Sequence, residues 1–282
     1  MMHTYFFHFD VVSQILQAMQ TGKTQIHLSL DLNLTHKTWQ IEDSRLILGA
    51  DIDVDSQMLS AIASDKTRIF VLKDKDLMPL EIRSQGYYKL VPTSSAPTLE
   101  INGIKMHRSK DIDPLTDAQL KTQRVVSPGD QTLDTCGGLG YSAVFALKAG
   151  AKKVVSFEKS REVVALRNQN PWLEKYADDR LELIHADVVQ KIDAFDNGRF
   201  NSVIHDPPRF TSATGDLYGK KFYDALFRVM TSGAKLFHYT GSPKKIKTRD
   251  RFIKNTIQRL EHSGFKSLEF HEHLQGVYGR KR

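Results

Sequence analysis

From about residue 120 onward, apolar runs of strand length alternate with segments of helical period, and this rhythm restricts the fold more than any other feature. The runs are "QTLDTC", "KVVSFE", "LELIHA", "SVIHD" and "KLFHYT". Between them lie "YSAVFALKAG", "SREVVALRNQN", "VVQKIDAFD", "YDALFRVMTSG" and "FIKNTIQRLEHSG", each with apolar residues at helical spacing. Three of these helices are expected to close on a glycine, at Gly150, Gly233 and Gly264. Continuously apolar strands separated by helices imply a doubly wound, mostly parallel sheet covered on both faces. The first 95 residues read differently. In "QIHLSLDLNL" Ile26, Leu28, Leu30, Leu32 and Leu34 alternate with polar partners, the period of a half-buried strand. "TWQI", "SRLILG", "TRIFVLKD" and "YYKLVPT" add short strands, and "DSQMLSAIASD" a short helix. The expected organisation is a small β-rich α+β domain over 1–95, a linker over 96–119 rich in Pro, Ser and Asp, and a Rossmann-like α/β domain over 120–282.

Composition narrows the class. The chain has 282 residues, of which 40% are hydrophobic and 26% charged, enough to bury a core. Cys136 is the single cysteine, which excludes an internal disulfide and a multi-cysteine zinc site. No run is long enough to span a bilayer, and the start lacks the pattern of a secretory signal, so the expected compartment is the cytoplasm. The formal charge of +7 permits an anionic partner. Six basic residues fall in "SPKKIKTRDRFIK" (Lys244, Lys245, Lys247, Arg249, Arg251, Lys254), a run that a solvated helix face also explains. The histidines show no pair at metal-ligand spacing with a companion carboxylate, so no metal is expected.

In a doubly wound sheet, ligands bind beyond the carboxyl ends of the strands. Four acids stand at those ends: Asp134 in "LDTCGGLGYSA", Glu158 in "VVSFEKS", Asp187 in "LIHADVV" and Asp206 in "SVIHDPPRF". Gly138 and Gly140 occupy the turn into the first helix, where a missing Cβ lets backbone approach a ligand. Glu158 lies where a carboxylate can accept both hydroxyls of a ribose. Asp187 can accept from an adenine amino group, although an N-cap before "VVQKI" explains it equally. The turn lacks G-x-G-x-x-G, and Asp134 would repel a pyrophosphate; a carboxylate there suits a cationic ligand part.

The segment from about residue 115 to the end, about 60% of the chain, resembles a class I S-adenosylmethionine-dependent methyltransferase. In the usual first motif, Asp-x-Gly-x-Gly-x-Gly, Cys136 replaces the first glycine. The combination of "DTCGGLGYSA", "HDPPRF" and "LFHYTG" is similar to a largely archaeal group of predicted methyltransferases. The resemblance implies S-adenosyl-L-methionine as cofactor, held by Asp134, Cys136, Gly138, Gly140, Tyr141, Glu158, Lys159, Asp187 and Val188. Related enzymes that act on nitrogen carry Asn/Asp-Pro-Pro and an aromatic residue at this fourth strand end. The rigid prolines aim an acceptor at the substrate N–H groups. Here Asp206 and Pro207 take that role, with His205 as a candidate base. Arg209 stands where the aromatic usually sits and Phe210 follows. Tyr218, Tyr239, His107 and Arg108 complete the expected substrate contacts, with Tyr218 in a segment able to act as a lid. Expected substrates are tRNA or rRNA, a protein side chain or a small anionic amine; nothing points to sequence-specific DNA binding or a membrane. Two alternatives stay open: an aminopropyltransferase of the spermidine synthase type, and a non-catalytic module that binds an adenosyl ligand.

Overall fold

The computed structural model describes residues 4–49, 51–73, 75–176, 178–241 and 246–282, with the side chains of 246–249 excepted. Of the basic run, Lys244 and Lys245 and the side chains of Lys247 and Arg249 lie outside the described residues. The chain forms two compact units, Met1–Pro114 with Asn168–Trp172, and Leu115–Arg167 with Leu173–Arg282.

In the second unit seven strands form one sheet: β1 Gln131–Asp134, β2 Lys153–Glu158, β3 Leu181–His185, β4 Phe200–His205, β5 Met230–Tyr239, β6 Lys266–His271 and β7 Gly276–Arg280. Their order is β3-β2-β1-β4-β5-β7-β6, parallel from β3 to β5, with β7 antiparallel to both β5 and β6. Successive residues along the central strands point to opposite faces, and both faces are apolar. Leu133, Val155, Val203 and Leu236 join the helix Lys220–Val229, through Phe222, Tyr223, Leu226 and Val229, in one buried cluster. Val154, Ile204 and Phe237 face the other way, against Val125, Ala143, Ala146 and Leu147 from the helices Pro114–Val125 and Tyr141–Lys148. Each fully buried side chain of this size contributes roughly 1.5–3 kcal/mol. The mixed, mostly parallel α/β sheet expected from the alternating pattern is therefore present.

The helix Lys220–Val229 stops four residues short of Gly233. Met230 already pairs with Phe200, and the register then jumps so that Lys235 pairs with Ser202. Gly233, at φ +81°, sits in that bulge, and its N–H donates to the Lys281 carbonyl. Phe200 captures Met230 before the helical pattern runs out; the sheet overrides the local signal.

The first unit holds three small antiparallel sheets among its described residues. Its core gathers Phe7, Val12 and Ile15 with Leu46, Val54, Leu59 and Ile62. The alternation of "QIHLSLDLNL" persists as a strand only over Gln25–Leu28. Beyond it Ser29 and Asp31 capture backbone N–H groups of Asn33 and Thr35, a local alternative to the ladder. Within 96–119, Thr98–Ile101 and Ile104–Lys105 pair as a hairpin beside Tyr87–Val91, and the helix Pro114–Val125 begins.

Candidate functional site

Because β3, β2, β1 and β4 are adjacent and parallel, Asp187, Glu158, Asp134 and Asp206 fall at one edge of the sheet. The loop after β1 is laid across its neighbours. The N–H of Thr135 donates to the Ile204 carbonyl on β4, and that of Gly137 to the Phe157 carbonyl on β2. Gly137 has no room for a side chain: a Cβ there would stand 2.2 Å from Ser156 Oγ. Gly140, at φ +89°, occupies the left-handed region, and its added Cβ would meet Leu173 at 2.8 Å. Tyr141, buried, then opens the helix.

Asp134 is fully buried, its Oδ2 accepting from Ser156 Oγ at 2.9 Å. Its Oδ1 is a buried acceptor with no hydrogen-bond partner among the described residues. Burial pushes this carboxyl up to about 7, and the Asp206 charge adds to the effect. Glu158 accepts from the Gly138 N–H at 3.0 Å and the Ser160 N–H at 2.8 Å, one bond to each oxygen. Burial raises its carboxyl, while those amides pull the other way. Cys136 reports on the whole edge: its thiol is pushed well above its ordinary value, by burial first and then by Glu158, Asp134 and Asp206. Asp187 stands one strand further out. Its Oδ1 caps the short helix Val188–Lys191 through the Val189 N–H, and its Oδ2 pairs with Lys159 Nζ at 2.8 Å. Val188 is buried behind it.

Asp206, followed by a buried Pro207, has a partner the sequence did not announce. Lys121 Nζ lies 2.8 Å from Asp206 Oδ2 and 2.7 Å from Asp117 Oδ2, and 4.1 Å from the centroid of the Tyr239 ring. Both Lys121 and Asp117 are buried, whereas the Asp206 side chain is 26% exposed. The two carboxylates raise the Lys121 ammonium against the cost of burial. Burial raises the Asp206 carboxyl, with Lys121 opposing. In the sequence Asp117 and Lys121 look like an ordinary i,i+4 helix pair; Asp206 is 85 residues away.

His205 is not at the rim. Its fully buried ring accepts from Thr135 Oγ1 at Nδ1 (2.7 Å) and donates from Nε2 to the Leu217 carbonyl (2.9 Å). Burial pushes it down to about 4. Both nitrogens are committed inside the chain, which leaves neither to take a substrate proton. Tyr218 is also buried, its hydroxyl donating to the Pro208 carbonyl at 2.8 Å. It pins the Asp-Pro-Pro turn from beneath instead of covering it as a lid would. Arg209 is exposed, and Phe210, 54% exposed, rests edge-on to Tyr218 at 5.5 Å. His107 and Arg108 belong to the first unit, where His107 Nδ1 contacts Thr98 Oγ1 at 3.0 Å. Among the described residues no group of three or more His, Cys, Asp or Glu is placed to hold a metal ion, and no helix is long and apolar enough to cross a membrane.

A seven-stranded, mostly parallel sheet with antiparallel β7 inserted beside β5 matches the fold of S-adenosylmethionine-dependent methyltransferases. The chain is 39% identical over 270 residues to the uncharacterised protein MJ1233 of Methanocaldococcus jannaschii, covering 94% of this chain and 92% of that protein. It belongs to the same family, within that superfamily. A shorter match, 31% over 105 residues, joins 36% of this chain to 26% of the ribosomal RNA large subunit methyltransferase I of Citrobacter koseri. Among solved structures, spermidine synthase from Thermotoga maritima superposes with a TM-score of 0.55 at 17% identity, over 75% of this chain and 74% of that one. That likeness is one of fold. No family model matches the chain.

Proposed function

We propose that the chain is a methyltransferase that uses S-adenosyl-L-methionine to methylate an amino nitrogen on RNA or another anionic substrate. The observation that carries this reading is the sheet edge where Asp134, Glu158, Asp187 and Asp206 end four adjacent parallel strands, with a buried acceptor, Asp134 Oδ1, left unpartnered. A buried acceptor without a donor costs about 1–3 kcal/mol, and a cationic ligand group would supply one. The residues fit the cofactor. Glu158 keeps acceptor capacity for a ribose hydroxyl beyond its backbone bonds, and the space over Gly138 is open to 4 Å. Asp134, Glu158 and the Cys136–Tyr141 loop would hold it, with Asp187, Val188 and Lys159 at the outer end. When bound, it supplies an electrophilic methyl group, whose bond to sulfur breaks with the electron pair staying on sulfur.

The chain's own residues orient the acceptor. Asp206 Oδ1 receives an N–H of the acceptor nitrogen and stabilises positive charge as it develops there. Pro207 and the Tyr218-bonded Pro208 carbonyl keep that carboxylate in place. His205 ties the loop after β1 to the segment after β4 and moves no proton. Arg209 and Phe210, both exposed, offer a cation and a flat ring to an anionic or aromatic substrate. The ribosomal RNA enzyme among the partial relatives supports RNA as the partner. Calorimetry with S-adenosylmethionine, S-adenosylhomocysteine and the decarboxylated cofactor tests the reading. Micromolar binding of the first two is expected. Preference for the third would favour an aminopropyltransferase, the reading that the spermidine synthase fold keeps in play; no binding at all would end both. Asp206→Ala is expected to abolish transfer to RNA from cells lacking the enzyme while S-adenosylhomocysteine affinity stays within a few-fold. Equal loss of both would make Asp206 structural.

A further inference from the structure

We propose that Lys121 sets acceptor specificity: its ammonium fills the cation place beside Asp206, so that the methyl acceptor must be a nitrogen that arrives uncharged, as on a nucleobase. This deepens the methyltransferase reading and rests on it. An ammonium has three N–H donors. Lys121 directs its charge to Asp206 Oδ2 at 2.8 Å, Asp117 Oδ2 at 2.7 Å and the Tyr239 ring at 4.1 Å, in a pocket that leaves the side chain 4% exposed. Two carboxylates and an aromatic face are what a protein builds around a bound alkylammonium. Here the alkylammonium comes from the chain itself. A polyamine or a lysine side chain would find Asp206 Oδ2 taken and would have to expel a buried lysine to bind as such groups usually do. One oxygen of Asp206 remains to receive N–H from the acceptor nitrogen.

A second observation weighs against charged amines. Nitrogen accepts a methyl group through its lone pair, and an aliphatic amine, with an ordinary pKa near 10.4, carries a proton there at neutral pH. That proton needs a base. His205 has both ring nitrogens bonded within the chain, and His238 is fully buried with Nε2 on the Tyr223 hydroxyl. Neither imidazole reaches an acceptor. An uncharged nitrogen conjugated to an aromatic ring needs no base beforehand. It becomes cationic as it takes the methyl and releases its proton to water afterwards. The exposed Phe210 ring, four residues beyond Asp206, gives such a ring a surface to stack on.

The experiment is calorimetry of putrescine and ethylammonium binding to the full chain saturated with S-adenosylhomocysteine. The intact protein is expected to bind neither at millimolar concentration. Lys121→Ala should gain ethylammonium at least tenfold over Lys121→Met, because the alanine vacates the pocket whereas methionine fills it without charge; Lys121→Arg should keep the exclusion. If Lys121→Ala does not fold, adding Asp117→Asn removes the uncompensated buried carboxylate and the comparison is made in that background. Micromolar putrescine binding by the intact protein overturns the proposal, as does equal ethylammonium binding by the alanine and methionine variants. Absence of S-adenosylhomocysteine binding would instead sink the cofactor reading, and the amine titrations repeated on the free chain would still decide the role of Lys121.

Discussion

Asp134 sits fully buried with one oxygen bonded to Ser156 and the other bare, and the folded chain tolerates this by holding a proton there up to about pH 7. The sign of the linkage follows from that. Between the ordinary carboxylate value near 3.9 and about 7, the folded state keeps a proton that the unfolded state has released. This group's share of stability therefore falls as pH climbs through that window and is lowest above it. Asp134→Asn is expected to raise Tm by several degrees at pH 8, with little effect at pH 4, and to weaken S-adenosylhomocysteine binding at least tenfold. Melting curves and calorimetry at both pH values check this; an unchanged affinity would remove Asp134 from the cofactor site. The acids were readable in the sequence because each ends an apolar run. Lys121 was not: the residue that gives it meaning, Asp206, is joined to it only by folding.

At the scale of elements, the turn after β4 owes its shape to the Gly215–Tyr218 segment lying beneath it. Tyr218 donates to the Pro208 carbonyl, and its ring packs against Phe210 and Phe252 at 5.5 and 5.6 Å. Tyr218→Phe keeps the packing and removes one hydrogen bond, a loss of about 1 kcal/mol. Faster amide hydrogen exchange is expected over 206–218, with β1 and β2 unaffected; unchanged exchange would mean that the prolines alone hold the turn. The central strands were legible because burial on both faces demands unbroken apolar runs. The hairpin Thr98–Lys105 was not, since its Pro, Ser and Asp neighbours mimic a linker. Nor was the helix Phe9–Gln20, where an aromatic start satisfies either period. The end of Lys220–Val229 was missed for another reason: a strand partner 30 residues upstream decides it.

For the whole molecule, two separate cores imply that no single unfolding free energy describes the chain. Leu46 belongs to the core of the first unit and Leu236 to that of the second. The segment Asn168–Trp172, contributed from between β2 and β3, counts with the first unit, and Trp172 Nε1 donates to the Leu32 carbonyl at 2.8 Å. Leu46→Ala should cost about 2–5 kcal/mol and speed exchange in residues 4–113 and 168–172 together. Protection in β1, β4 and β5 should persist; uniform loss throughout would show one cooperative unit instead.

The single thiol has a practical corollary. Cys136 is half-buried beside carboxylates that oppose its ionisation, so its alkylation near neutral pH should be slow. The native thiol is thus a slow competitor in labelling experiments. A cysteine introduced on each unit could carry a spin label or fluorophore without first deleting the native one, and the separation between the two probes could then be followed as ligands are added.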